Sequence, residues 1–414
     1  MRRRDHMFPI DRVRSEFPAL HQGDGFIFFD NAAGAQVPKR ALDAVIDHLT
    51  SRNVQRGGPY SRSREVDAAI ERARAAVADF INAFHPDEVA FGMNATSFVR
   101  SISLAIGQTL AARREIVVTD LDHESNIATW LALERAGAQI RWWHTRDDAT
   151  LHLEDLEPLL SPRTRVVACT AASNAIGTKV DITAVCERSH KAGAEVFLDA
   201  VHYAPHGRID VQAIGCDYLV CSGYKIFAPH MGFLWGRRDA LNGLPTFRED
   251  FIPDTTPAKL EVGTYVYENV AGMDAAIAYL EGLAEVTDGR RRDRLAQAMD
   301  RIREYELELT RVLLERMSAI PGVTVHGIAD PDDAGERVPT VCFTVAGMAP
   351  ADVSRQLSDR GIGVRDGHMY APRLIRRLGL SDRTGAVRAS LVHYNTTEEI
   401  DRFAEDLRTI AGSR

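Results

Sequence analysis

Cysteine is scarce in this chain, and its few copies share no pattern. The five residues, Cys169, Cys186, Cys216, Cys221 and Cys342, form no C-x-x-C and no paired ligand spacing. Neither a disulfide framework nor a metal site is therefore expected. Three of them fall in apolar strand-like runs, where a free cysteine is usually a small buried hydrophobe. No run approaches the ~18–20 apolar residues of a membrane span. Arg2-Arg3-Arg4 has no apolar stretch behind it, so a secretory leader is not expected either. The formal charge is −8 with no concentrated basic face, which argues against nucleic acid as a partner. The chain lacks G-x-x-x-x-G-K-[ST], and no convincing G-x-G-x-x-G follows a strand, which argues against a nucleotide-binding fold. Repeats and low-complexity segments are missing too. What remains is a 414-residue chain with 45% hydrophobic and 26% charged residues, ordinary for a globular protein. Its length suggests two domains. A cytoplasmic location is the expectation.

The most informative stretch runs from Phe197 to Gly236. Glu195-Val-Phe-Leu and Asp217-Tyr-Leu-Val-Cys read as buried strands of a parallel sheet. Asp199 closes the first, and Ser222-Gly-Tyr-Lys225 closes the second. Ligands in open α/β sheets sit at the carboxyl ends of strands. A carboxylate and an amine held there suit pyridoxal phosphate. That cofactor needs a lysine to form a Schiff base and an acid to keep its pyridine nitrogen protonated. An apolar site also favours the neutral, nucleophilic amine. A lone Asp and a lone Lys are more often a helix cap and a solvated loop residue, so the flanking motifs must decide.

Strands and helical patterns alternate along the chain, which predicts a mostly parallel sheet with right-handed crossovers. An arm packing with the small domain is expected over 1–25, a large domain over 26–270 and a smaller α/β domain over 271–414. Long amphipathic helices are predicted over about 273–283 and 294–317, and a closing one over 397–410. Asn94-Ala95-Thr96-Ser97 precedes a helix, and free N–H groups at a helix start favour a phosphate.

Eight collinear strings now matter: DNAAG at Asp30, RGG at Arg56, LDHESN at Leu121, ASNAIGT at Ala172, LDAVH at Leu198, CSGYK at Cys221, EVGT at Glu261 and VRASLVHYNT at Val387. Together they resemble the fold-type I pyridoxal-phosphate enzymes, specifically the class V aminotransferase and cysteine desulfurase group, over nearly the whole chain. The resemblance implies the aspartate-aminotransferase-like fold, with a large seven-stranded sheet. It further implies that Lys225 carries the cofactor as an aldimine and later shuttles a proton. Asp199 would pair with the pyridinium, and His123 would stack on the ring. Asn174 and His202 would approach the phenolic oxygen, His202 standing where desulfurases more often have Gln. The phosphate would be held by Ala95, Thr96 and Ser222, and by Gly263 and Thr264 from a second subunit of a homodimer. Tyr224 replaces a histidine common before the lysine. Arg388 would grip a substrate α-carboxylate, with Arg56 and Arg365 as weaker candidates and Asn31 nearby.

The loop Val364-Arg365-Asp366-Gly367-His368-Met369-Tyr370-Ala371-Pro372 departs from that pattern. Sulfur-transferring desulfurases carry a nucleophilic cysteine there, and this chain has Tyr370. A phenol cannot accept sulfane sulfur. Tyr370 and His368 either act as acid or base at a leaving group or shape the pocket. The expected function is C–S lyase chemistry on a small or modified amino acid through aldimine and quinonoid intermediates. Aminotransfer and epimerisation are the alternatives, and an inactive cofactor-fold binding protein is a more distant one.

Overall fold

The computed structural model describes residues 8–412; Arg2-Arg3-Arg4 lies outside them. Among the described residues thirteen strands occur, in chain order. They are β1 (Ile27–Phe28), β2 (Val89–Gly92), β3 (Glu115–Thr119), β4 (Gln139–Trp143), β5 (Thr164–Thr170), β6 (Glu195–Asp199) and β7 (Tyr218–Ser222). Then follow β8 (Gly232–Gly236), β9 (Val323–His326), β10 (Thr340–Val345), β11 (Ile362–Gly363), β12 (Arg365–Gly367) and β13 (Ala386–Ser390).

A seven-stranded sheet in the order β2-β8-β7-β6-β5-β3-β4 organises the first part of the chain. Pairing from β7 through β4 is parallel, and β8 runs antiparallel to both β7 and β2. Alternate residues explain the two-sided burial. Val117, Val167, Val196, Leu198 and Leu219 enter one core, and Ile116, Val118, Val166, Phe197 and Val220 enter the other. Helices cover both faces, so these strands read as continuous apolar runs rather than alternating ones.

The second unit is a four-stranded antiparallel sheet, β12-β13-β10-β9. Its core takes Ile400, Phe403 and Leu407 from the Thr397–Gly412 helix. Helix Arg291–Ser318 serves both units. Leu295, Met299 and Ile302 pack into the large sheet's core, and Leu309, Leu313 and Met317 into the smaller one.

The packing departs from a linear partition at 25 and 270. Helix Tyr267–Glu281 buries Val270, Met273, Ile277 and Leu280 in the large sheet's core. At the other end, β1 pairs parallel with β11, and Ile27 and Phe29 join the smaller core. In the N-terminal arm, Phe17 packs against Phe227, Tyr279 and Tyr394 in the large core, while Arg14 pairs with Glu399 of the closing helix. The reason is physical: a composition shift marks where helices begin, but partner surfaces decide where an apolar stripe is buried.

Candidate active site

Five strands deliver side chains from their carboxyl ends to one cavity. Beyond β2 come Ala95 and Thr96, at the start of helix Ala95–Gly107; beyond β3 comes His123; beyond β5, Asn174. Asp199 ends β6, with His202 just after it, and Ser222, Tyr224 and Lys225 follow β7. Asp199 and Lys225 are both buried and line this cavity together. Thr96, His123, Asn174, Ser222, Tyr224 and Lys225 continue into a wider cleft of about 1020 Å³. Arg100, His230, Arg365, Tyr370 and Arg388 line that cleft as well.

The Ala95–Gly107 helix start is built for close approach. Asn94 caps it, its side chain accepting from the Ser97 N–H at 2.9 Å, and the Ala95 N–H donates to Ser222 Oγ at 3.3 Å. A Cβ on Gly232 would come within 2.6 Å of the Asn94 carbonyl carbon, so β8 can lie against this turn only as glycine. Gly263 and Thr264 do not reach the cavity of their own chain. Gly263 has φ +63°, and Thr264 Oγ1 donates to Gln55 Oε1 at 3.2 Å.

Electrostatics separate the titrating groups. Burial lowers the Lys225 amine to about 8, with Arg388 adding to the effect and Asp199 opposing it. Burial raises the Asp199 carboxyl, against a hydrogen bond from the Val201 N–H and the charge of Lys225. His123 falls to about 4, through burial and the neighbouring charges of Lys225 and Arg388. The ring is therefore neutral near pH 7. Its Nδ1 accepts from the Ser125 N–H at 3.1 Å and lies 2.8 Å from Ser125 Oγ, which assigns the ring hydrogen to Nε2.

A family model described as "Aminotransferase class-V" matches residues 27–403. The chain belongs to the class V aminotransferase family. It is 38% identical over 414 residues to the "aminotransferase-like protein FGM3" of Gibberella zeae, covering 97% of this chain and 98% of that one. It is 33% identical to a "probable cysteine desulfurase" of Streptomyces coelicolor, covering 98% of this chain and 97% of that one. Among solved structures, the apo cysteine desulfurase of Thermococcus onnurineus superposes with a TM-score of 0.88 at 26% identity, covering 99% of both chains. This class V chain is a pyridoxal-phosphate-dependent enzyme with the aspartate-aminotransferase-like fold.

The cavity of this class V enzyme suits that group. Two buried polar atoms on its walls, Asn174 Oδ1 and His202 Nδ1, have no protein partner. Lys225 supplies an amine and Asp199 a carboxylate whose raised pKa a neighbouring pyridinium would bring down. The helix start and Ser222 offer donors for a phosphate.

The substrate side of the class V site holds surprises. Arg388 is buried, and its Nη2 donates to Asp30 Oδ1 at 2.8 Å while Nη1 donates to the Asn174 carbonyl at 2.8 Å. Arg365 pairs with the same Asp30 carboxylate at 2.8 Å. Asp30, a residue the sequence reading passed over inside its motif, thus anchors both candidate arginines. Arg56 lies away from the cleft, bound to Asp67 at 3.0 Å and Tyr265 at 3.4 Å. Asn31 is also removed from the cleft. Its amide donates to the Phe28 and Ser390 carbonyls and to Asn395, and its oxygen accepts from Tyr394, so its polar atoms hold the fold together. Asp122, likewise passed over, is fully buried beneath the site. It accepts from Thr119 and Asn126, and burial pushes it up to about 8.

The loop with Tyr370 is pinned across the mouth. The Met369 carbonyl accepts from Asn174 Nδ2 at 2.6 Å, the Tyr370 carbonyl accepts from the Glu124 N–H at 2.8 Å, and Arg373 pairs with Glu124. Met369 and Tyr370 adopt φ +48° and +58°, a costly pair for non-glycine residues that persists because these bonds over-determine it. The Tyr370 ring lies 5.5 Å from that of His123. His368 lines neither the cavity nor the cleft; its Nδ1 accepts from the Tyr370 N–H at 3.1 Å.

Proposed function

We propose that this class V enzyme removes the α-proton of a small or modified amino acid and expels a β-substituent through sulfur, without passing that sulfur to a protein thiol. One observation carries the reading. All five cysteines are buried, and burial raises every thiol, Cys186 and Cys342 to about 12. A sulfur acceptor needs an accessible thiolate, and the mouth of the cleft offers Tyr370 instead.

Bound pyridoxal phosphate supplies an electron sink for the pair left at Cα. Ala95, Thr96, Ser222, Asp199, Asn174 and His202 would hold it, with Lys225 as its covalent anchor and His123 against its ring. Lys225 Nζ, with its lowered pKa, is suited to take the α-proton near neutral pH. Arg388 orients the substrate carboxylate, and Tyr370 Oη at the mouth gives a proton to the departing sulfur. The pinned loop fixes the backbone that carries that phenol at the mouth.

The same reading holds that two copies share their active sites in a homodimer. Leu42, Ile46 and Leu49 expose one stripe of helix Lys39–Ser51, and Met93, Leu104 and Val262 add exposed apolar surface. Val262 adjoins Gly263 and Thr264, the pair expected to reach a neighbour's phosphate site.

The test is a panel of cysteine, cystine, S-alkyl cysteines and their sulfoxides with the holoenzyme. Elimination yields pyruvate and the freed sulfur compound in equal amounts. A keto acid that keeps its β-substituent means aminotransfer instead, a second reading favoured by the name of the Gibberella zeae relative.

A further inference from the structure

A line of buried polar groups continues behind the cofactor cavity into the seam between the two units. His202 lines the cavity and is fully buried. Its Nε2 lies 3.0 Å from Thr340 Oγ1 on β10. The Thr340 hydroxyl has no other acceptor among the described hydrogen bonds, so it donates to Nε2. A neutral imidazole that accepts at Nε2 must carry its hydrogen on Nδ1, and His202 Nδ1 is the ring atom left without a partner. The edge of that ring packs against His206, 5.4 Å between centroids at 76°. His206 is locked in turn, its Nδ1 2.8 Å from Glu306 Oε2 in the middle of helix Arg291–Ser318. All four residues are at least nine-tenths buried.

We infer that Thr340, His206 and Glu306 are positioning residues that fix His202 as an Nδ1 donor into the cofactor cavity, the atom that hydrogen-bonds the phenolic oxygen of pyridoxal phosphate. The inference deepens the proposed function and rests on the cofactor lying in this cavity. Thr340 belongs to the second unit and Glu306 to the helix that serves both units, whereas His202 belongs to the large sheet. The donor is therefore set only when the two units are seated on each other.

The electrostatic surroundings agree with a neutral His202. Burial, and after it the charges of His206, Lys225 and Arg388, lower its pKa. Other charged or titratable groups facing this line are Tyr203 from the same turn as His206, Arg303 from the same helix as Glu306, Lys179 and Arg337 along the seam, and His393 after β13. Burial raises the Glu306 carboxyl, with His206 opposing by charge and hydrogen bond.

A donor to the phenolic oxygen favours its anionic form and so lowers the pH at which the bound cofactor's visible band titrates. Loss of one such hydrogen bond should raise that midpoint by about 0.5–1 unit. The experiment is a spectrophotometric titration of wild-type holoenzyme and the Thr340→Val, Thr340→Ser and Glu306→Gln variants. Thr340→Val and Glu306→Gln should titrate higher, and Thr340→Ser, which keeps the hydroxyl, should match wild type. If Glu306→Gln does not fold, the near-isosteric Thr340→Val decides. A wild-type band that titrates normally, with an unshifted Thr340→Val, overturns the inference and leaves the cofactor placement intact. A wild-type protein that takes up no pyridoxal phosphate overturns both.

Discussion

Asp30 and Arg388 meet at 2.8 Å beside the cleft that Arg388 lines, a part-exposed carboxylate against a buried guanidinium. Burial lowers the Arg388 pKa, and Asp30 opposes that shift by charge and hydrogen bond. Removing one partner of a buried pair leaves an uncompensated charge. Asp30→Asn should therefore cost about 2–3 kcal/mol, less than for a fully enclosed pair because Asp30 touches solvent. Thermal or denaturant melting of the apoprotein reads this out. An unchanged midpoint would mean that Arg388 does not depend on Asp30.

Arg388 is also the cation placed to meet a substrate carboxylate. Arg388→Ala should weaken α-carboxylate substrates by about 2–5 kcal/mol, at least some 30-fold in kcat/KM. Amino-acid amides, which lack that charge, should lose far less. Equal losses for acids and amides would move carboxylate recognition elsewhere, with Arg365 next in line.

The thiols give an inexpensive check. Cys169, Cys186, Cys216, Cys221 and Cys342 are all buried, so a thiol reagent should label the native protein slowly and all five positions rapidly in denaturant. One fast-reacting native cysteine would reopen sulfur transfer through a persulfide.

Cofactor capture carries a pH signature. Lys225 is depressed from its ordinary 10.5 to about 8, so its nucleophilic form is lost as pH falls below that value. The rate at which the apoprotein takes up pyridoxal phosphate should rise with pH and level off above about pH 8. A rise continuing towards pH 10 would show that the lysine is not desolvated.

Much of the lining of the candidate cavity was legible in the sequence, because short apolar strands ending in Asp199 and in Ser222 to Lys225 fix where those side chains emerge. The mostly parallel sheet followed from the alternation of strands and helices, and its seven strands from the family resemblance. Contacts between distant segments were less accessible. Nothing local marks Asp30 as the partner of arginines more than three hundred residues away, or Glu306 as the anchor of His206. Asn31 and Arg56 sit inside matching motifs, yet their polar atoms are spent on Ser390, Asn395, Asp67 and Tyr265. Helix Arg291–Ser318 reads as one amphipathic segment, while only the folded chain shows its two halves serving different cores.

The central claim is that Lys225 and Asp199 hold one pyridoxal phosphate between them. Borohydride reduction of the holoenzyme, followed by peptide mapping, tests it directly. A single pyridoxyl-lysine is expected at residue 225 in wild type and none in Lys225→Ala. A label on any other lysine, or undiminished labelling of the variant, would contradict it.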